Sequence, residues 1–147
     1  MQESLAEINN KITGCPCTFT LVIVNKRISQ RFFEGIDNPP SGTLVDSVVV
    51  ESSDAASYDF YLVSQEVTQG SVLPTHFHVF HDEAKFKPDC LKQFTYDLCH
   101  LYYNWAGPVK VPAPVQYAHK MAIHTDNLGD WGKCFEKSNL NSNLHFI

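Results

Sequence analysis

Residues 109–122 read VKVPAPVQYAHKMA, and this stretch sets the geometry of the C-terminal half of the chain. Pro112 and Pro114 fix their own backbone angles and hold the residue before each of them extended, so the chain is stiff before a helix can begin. Pro114 suits the first helical turn, where its missing N–H needs no partner. The apolar stripe predicted for the helix that follows consists of Val115, Ala118 and Ala122.

The N-terminus of this predicted helix has the features of an anion site. Free N–H groups and the helix dipole both favour a negative charge there, and Lys110 and Lys120 flank it. His119 lies one turn further in, where it could ligand a metal or shuttle a proton. The alternative is a buried connection and a surface helix in which His119 is only hydrogen-bonded in a polar pocket. The pattern alone leaves both interpretations open.

The composition indicates one ordinary domain. The chain has 147 residues, of which 44% are hydrophobic, and it can bury a real core. No run approaches the roughly 18–20 apolar residues of a membrane span. Residues 1–5 are polar and acidic, which excludes a secretory signal and predicts an intracellular protein. The five cysteines have irregular spacing and predict no disulfide framework, and Cys15 and Cys17 lie too close together for the usual zinc pair.

Charge is distributed unevenly along the chain. The net charge is −5, which is not typical of a nucleic-acid-binding protein. Between Lys85 and His124, however, there are five lysines and only two aspartates, so this segment carries a net charge of +3 and the rest of the chain −8. An anion would therefore be contacted through the C-terminal half.

Hydrophobic periodicity predicts several strands followed by two helices. A continuous apolar run at 18–24 predicts a strand buried on both faces, and further strands are predicted at 43–50, 58–65 and 75–81, the last two paired as a wide hairpin. Pro88 and Asp89 open a helix that is expected to end at 104–108. Its predicted core stripe consists of Leu91, Phe94, Leu98 and Leu101. Spacing of three and four also predicts a helix within residues 1–14.

Two histidines, His76 and His78, share one face of the fourth strand. Such a pair can chelate a metal, but the sequence signals no third or fourth ligand, so a structural role is favoured. The chain also has no phosphate-binding loop of the GxxxxGK type and no GxSxG elbow, which leaves an acyl-transfer hydrolase without support.

Five segments combine into a specific pattern: NPPSGTLVD at 38–46, YDFYLVSQ at 58–65, QGS at 69–71 with PTHF at 74–77, LCHLYYNW at 98–105, and VPAPVQYAHK at 111–120. Together they resemble the Piwi domain of the Argonaute family, and more closely its Piwi clade than the Argonaute clade proper. The resemblance makes residues 1–147 a partial Piwi domain, strongest over 18–124, with a divergent tail at 125–147. It implies the C-terminal portion of a ribonuclease H-like α/β fold, with mixed sheet strands followed by two main helices.

The resemblance also implies chemistry for His119. The family cuts a target RNA paired to a small guide RNA, with three acids and one histidine holding two Mg²⁺ ions on the scissile phosphate. The family's histidine matches His119. The family's acids fall upstream of Met1, and Asp46, Asp59 and Asp82 match none of them, so this chain alone is expected not to cut RNA.

By position, the family's contacts to the 5′ end and first phosphates of the guide match Lys110, Gln116, Tyr117 and Lys120. The family's C-terminal carboxylate, which reaches the metal at the 5′-phosphate, matches Ile147. Three hypotheses follow. The chain binds a piRNA-type guide as part of a silencing protein, or it supplies His119 to a slicer completed by upstream sequence, or it is an inactive truncated copy.

The resemblance implies guide RNA, target RNA and the remainder of a Piwi protein or an upstream half as partners, and no membrane. The expected location is the cytoplasm, with germ granules or the nucleus as alternatives. Because the missing strands would leave apolar surface uncovered, we expect the isolated chain to behave poorly as a monomer.

Overall fold

The computed structural model describes residues 18–47 and 57–128. They form one four-stranded sheet and two helices. The strands are β1 (Thr20–Asn25), β2 (Thr43–Val45), β3 (Tyr58–Val63) and β4 (Thr75–Asp82), in the spatial order β1-β4-β3-β2. The helices are α1 (Pro88–Cys99) and α2 (Ala113–Leu128). The predicted sequence of strands followed by two helices is therefore confirmed.

All three strand pairings in the described part of the chain are antiparallel. The predicted hairpin of β3 and β4 is correct, but the expected mixed sheet is not seen here, because no parallel pair lies among these strands. The prediction that β1 is buried on both faces is also wrong. This strand lies at an edge of the described sheet, and Ile23 is exposed on it. An unbroken apolar run marks a strand but does not give its place in a sheet.

The core lies between the sheet and α1. Alternate residues of the two central strands point to the same face, and those that form the core are Phe60, Leu62, Phe77 and Val79. Leu91 and Cys99 of α1 pack against them. Phe60 and Phe77 lie opposite each other in the β3–β4 register, and their rings stack with centroids 5.0 Å apart. Aromatic pairs of this kind add stabilisation beyond the apolar area they bury.

Helix α1 begins at Pro88 as predicted but ends at Cys99, before the expected stop at 104–108. Its buried face also differs from the predicted stripe, since Phe94 is 54% exposed and Leu101 64% exposed. The residues that it buries are Leu91, Lys92, Thr95 and Cys99. Polar groups are tolerated on that face because the Thr95 hydroxyl donates to the Leu91 carbonyl at 2.7 Å and Lys92 pairs with the Asp46 carboxylate.

Helix α2 presents a different face to the protein than the alanine spacing predicted. Ala118 and Ala122 are exposed, whereas Val115 of the predicted stripe is half-buried. The other half-buried positions of the helix are Gln116, Tyr117, Lys120, Met121, His124 and Thr125. Two contacts set this rotation. The Tyr117 hydroxyl accepts a hydrogen bond from the backbone N–H of Tyr103 at 2.9 Å, and the Lys120 ammonium lies 5.3 Å from the centroid of the Tyr102 ring. An amphipathic side chain can therefore decide which face of a helix is covered.

An apolar groove of about 350 Å³ runs between β1, α1 and the start of α2. Phe94 lines it together with Val22, Val24, Leu98 and Val115, which explains why Phe94 is not in the core. Exposed apolar surface of this kind fits the expected poor behaviour of the isolated chain, which stays a prediction. Among residues 18–47 and 57–128, neither helix has the length and apolar character needed to cross a bilayer.

Several expectations fall outside the described residues. They concern the helix within 1–14, the pair Cys15 and Cys17, the end of the strand at 43–50, the tail beyond 128, and Ile147.

The environment of Cys99 leads to a first testable prediction. Burial raises the pKa of its thiol to about 11, and the thiol donates to the Thr95 carbonyl at 3.4 Å, whereas Cys90 is exposed. Only the thiolate is a good nucleophile. At pH 7.5 we therefore expect iodoacetamide to modify Cys90 in the folded chain and Cys99 only after denaturation. Peptide mapping by mass spectrometry measures both, and equal modification rates would contradict the buried position of Cys99.

Candidate functional site

The start of α2 offers few free N–H groups to an anion. Pro112 and Pro114 have none, and the N–H groups of Val115 and Gln116 both donate to the Pro112 carbonyl, at 2.9 and 3.1 Å. The backbone N–H groups that were expected to bind an anion are therefore largely occupied by hydrogen bonds within the first turn. The helix dipole remains, but any strong attraction for a phosphate here must come from side chains.

Lys110 provides such a side chain and is held firmly in place. Its Nζ donates to the backbone carbonyl of Lys26 at 2.8 Å, and its own carbonyl accepts a hydrogen bond from the buried Thr75 hydroxyl at 2.9 Å. Ser64 donates to the preceding carbonyl, that of Val109, at 2.8 Å. These bonds fasten the proline-rich entry to the ends of β3 and β4 and to the segment after β1.

Three cations converge at this point, and we call Lys26, Arg31 and Lys110 the basic cluster. Burial lowers the pKa of Lys110, and the positive charges of Arg31 and Lys26 lower it further. The Arg31 guanidinium is itself held by the carbonyls of Ile28 and Gln30, at 3.1 and 2.7 Å. Lys110 is predicted from its position before the helix, whereas Lys26 and Arg31 are not, because Lys26 and Lys110 are separated by 84 positions in the chain.

The lowered pKa of Lys110 has a defined effect on stability. The folded state binds the proton less tightly than the unfolded chain, so the charged ammonium costs folding energy below the lowered pKa. That cost disappears as the pH rises from the lowered pKa to the ordinary value for lysine. An anion bound at the basic cluster would offset the same repulsion at neutral pH.

The other predicted RNA contacts occupy one side of α2. The Tyr117 hydroxyl bonds to the 101–103 loop, and the ammonium of Lys120 lies over Tyr102. Both side chains are half-buried, so they also hold this loop against the helix. The Gln116 side chain is half-buried and has no polar partner among the described residues.

His119 differs from these neighbours because it is exposed. It forms no hydrogen bond with another residue of the described part of the chain, so the alternative of a histidine held in a polar pocket has no support from this geometry. Six positions separate it from Ala113, which puts it roughly 9 Å along the helix axis from the start of α2 at 1.5 Å per residue. Its imidazole is free to meet a ligand that also touches the helix entry.

His76 and His78 contact a carboxylate of the neighbouring strand, a contact that was not predicted from the sequence. Asp59 lies directly opposite His78 in the β3–β4 register, and its carboxylate contacts His78 Nδ1 and lies 3.4 Å from His76 Nε2. The His76 ring also stacks on Tyr61, with centroids 4.7 Å apart, and lies within 3.1 Å of the Asn25 amide. These contacts favour the structural role over metal binding.

No group of three or more histidine, cysteine, aspartate or glutamate side chains within 18–47 and 57–128 is placed to hold a metal ion. The described residues therefore do not fit the two-Mg²⁺ site that the resemblance implies, and His119 stands apart from any carboxylate partner. Lys92, one of the five lysines of the basic segment, is also not available to an anion, because it is buried and paired with Asp46.

A model of the Piwi domain family matches residues 1–128 of this sequence. The chain belongs to the Piwi domain family. Piwi-like protein 1 of Gallus gallus is 51% identical over 108 residues, which are 71% of this chain and 12% of that protein. Piwi-like protein Ago3 of Bombyx mori is 50% identical over 109 residues, 71% of this chain and 11% of that protein. The chain thus spans about an eighth of the length of these relatives.

Solved structures share the fold of this Piwi-domain chain. The crystal structure of Drosophila Piwi superposes with a TM-score of 0.74 and 41% sequence identity, over 82% of this chain and 16% of that one. The C-terminal lobe of a budding yeast Argonaute gives 0.73 at 24% identity, over 84% of this chain and 27% of that one, and supports the fold alone. The α/β, ribonuclease H-like fold class predicted from the sequence is therefore confirmed.

Proposed function

We propose that this Piwi-domain chain contributes to binding a small guide RNA of the piRNA type within a larger protein that acts in RNA-guided silencing. The observation that carries the proposal is the basic cluster at the entry to α2. Lys110 and Arg31 are held there by bonds to backbone carbonyls, and the positive charges of Arg31 and Lys26 both act on Lys110. Such an arrangement is costly without a counter-ion and attractive to a phosphate.

The position of the basic cluster fits a guide strand better than a free anion. Lys110 lies three residues before the start of α2, which carries Gln116 and Lys120, so a strand leaving the cluster would pass along this side of the helix. Phosphate contacts fix the register of a strand without reading its sequence. The family supports the same proposal, since a related Argonaute of Kluyveromyces polysporus was crystallised with a guide RNA.

The test is binding of a fluorescently labelled, 5′-phosphorylated single-stranded RNA to the full 147-residue chain, followed by anisotropy at several salt concentrations. We expect Lys110→Gln to weaken binding and to lower the slope of log affinity against log salt by about 0.7, the value for one lost contact to a single strand. An RNA with a 5′-hydroxyl should bind less tightly than its phosphorylated counterpart.

Lys87→Gln is the matched control, because Lys87 is an exposed lysine at the start of α1 and outside the basic cluster. It should leave the slope nearly unchanged. Equal losses in the two variants would show diffuse attraction rather than a site, and would contradict the proposal. Circular dichroism checks that both variants keep the fold.

A second candidate function is favoured by the exposure of His119. In this alternative the chain supplies an imidazole to an RNA-guided endoribonuclease whose acids come from upstream sequence. A third outcome, an inactive copy, predicts neither RNA binding nor cleavage.

A further inference from the structure

A second cavity lies at the C-terminal end of α1. Its volume is about 540 Å³, within the range of small-ligand sites. It is lined by Ser41, Gln65, Glu66, Tyr96, His100, Trp105 and Pro108. The proposed contacts to RNA do not use any of these residues, so the cavity needs a separate explanation.

One wall of the cavity is rigid. Tyr96 packs over Gly42, where an added Cβ would lie 3.4 Å from the phenol ring, and its hydroxyl lies 3.1 Å from the Ser41 hydroxyl. Ser41 is fixed in turn by a bond to the Ser64 carbonyl. The His100 ring meets Tyr96 edge to face, with centroids 4.6 Å apart and an interplanar angle of 88°. This wall needs no rearrangement to receive a ligand.

Trp105 forms a second aromatic surface. Trp105 is 63% exposed, which is unusual for a tryptophan. The indole lies close to the backbone of Gly107, and its Nε1 would be only 3.1 Å from a Cβ added there. The absence of a side chain at Gly107 therefore allows the indole to lie against the backbone beside the cavity.

The charges around the cavity favour a cation. Glu66 is an exposed carboxylate, and the negative end of the α1 dipole lies at Tyr96 and His100. The last turn of α1 has no basic residue to neutralise that end, and none of the described residues that line the cavity is a lysine or an arginine. His100 Nδ1 lies 3.1 Å from the Tyr96 carbonyl, so it carries the proton and leaves Nε2 as an acceptor in the neutral ring.

We propose that this cavity binds the guanidinium group of an arginine side chain presented by a partner protein. A planar guanidinium can stack on the indole of Trp105 and donate in a forked geometry to the Glu66 carboxylate while carrying a full positive charge, which neither a phosphate nor an uncharged base such as guanine carries. The cavity thus recognises an arginine-bearing segment and repels the RNA backbone. This inference does not depend on the proposed guide binding.

The test uses the fluorescence of Trp105 in a Trp131→Phe background, which removes the other tryptophan of the chain. The full chain is titrated with N-acetyl-arginine methylamide and with its neutral isostere, N-acetyl-citrulline methylamide. We expect saturable quenching by the arginine compound and at least tenfold weaker binding of the citrulline compound, because only the guanidinium carries a charge.

Two substitutions make the result specific. Glu66→Gln should weaken arginine binding by about fivefold or more, because it removes the carboxylate. Glu83→Gln, at an exposed carboxylate that does not line the cavity, should change nothing. Equal binding of the two compounds, an unchanged Glu66→Gln variant, or tighter quenching by guanosine than by the arginine compound would each overturn the proposal.

Discussion

Replacement of His119 by alanine is expected to abolish target cleavage in a full-length Piwi protein while leaving guide binding intact. In the experiment, residues 18–124 of this chain replace the matching segment of chicken Piwi-like protein 1. That protein is 51% identical to this chain over 108 residues. The chimera supplies the upstream sequence that the resemblance requires. If His119 has the role that the family implies, its loss should lower the rate by about a hundredfold to ten-thousandfold, the usual contribution of a positioned acid or base.

The surroundings of His119 allow this substitution to remove the imidazole with little effect on the rest of the fold. His119 is exposed, lies on a continuous helix and forms no hydrogen bond to another described residue, so alanine removes an imidazole without disturbing the packing. Alanine also favours the helical conformation more than histidine does. A loss of cleavage in this variant is therefore difficult to explain by misfolding.

The matched control is Ile123→Ala, at another exposed position of the same helix and within the exchanged segment. Cleavage of a labelled target and retention of a labelled guide are measured in parallel for the parent chimera and both variants. If His119→Ala cleaves as fast as the parent, the role carried over from the family is wrong. If the parent chimera binds no guide and cuts no target, the hypothesis of an inactive copy is supported instead.

The sequence predicted strands and helix starts well because these depend on local patterns. The runs at 58–65 and 75–81 mark β3 and β4, and Pro88 marks the start of α1. Such signals involve neighbours in the chain. They need no knowledge of what packs against the element.

The rotation of the helices and the edge position of β1 were not predictable in the same way. The spacing of Ala118 and Ala122 predicted a buried stripe, but alanine gains little from burial, whereas Tyr117 and Lys120 both find partners in the 101–103 loop. The stronger side-chain contacts therefore decide which face of α2 is covered. Those contacts involve residues outside the helix, which the periodic pattern of the helix itself does not reveal.

The candidate sites show the same limit. Lys110 was identified from its position before a helix, but the basic cluster depends on Lys26 and Arg31, which the sheet brings alongside. The cavity at the end of α1 likewise combines Ser41, Gln65 and Trp105 from three separate loops. A signal was present in each case, namely the charges directly after β1 and an unexplained exposed tryptophan. Only the fold shows that they meet other groups.

The second large effect concerns the stability of the sheet. Phe77 is fully buried in β4, lies opposite Phe60 on one side and Val24 on the other, and stacks on the Phe60 ring. Its truncation to alanine should lower the free energy of unfolding by about 3–5 kcal/mol, the usual cost of removing a buried aromatic side chain. Since small domains are stable by only about 5–15 kcal/mol, this loss should remove much of the stability of the chain.

Phe80→Ala is the matched control, because Phe80 is the same residue type on the same strand but is 59% exposed. It should change the free energy of unfolding by no more than about 0.5 kcal/mol. Urea unfolding followed by circular dichroism measures both variants, at protein concentrations low enough that the midpoint does not depend on concentration. If Phe77→Ala does not fold, Phe77→Leu keeps the comparison possible, since leucine fills part of the same space and should give a smaller loss. Equal changes in the free energy of unfolding for substitutions at positions 77 and 80 would mean that the β4 side chains do not divide into a core face and a solvent face. The four-stranded arrangement on which both sites depend would then be wrong.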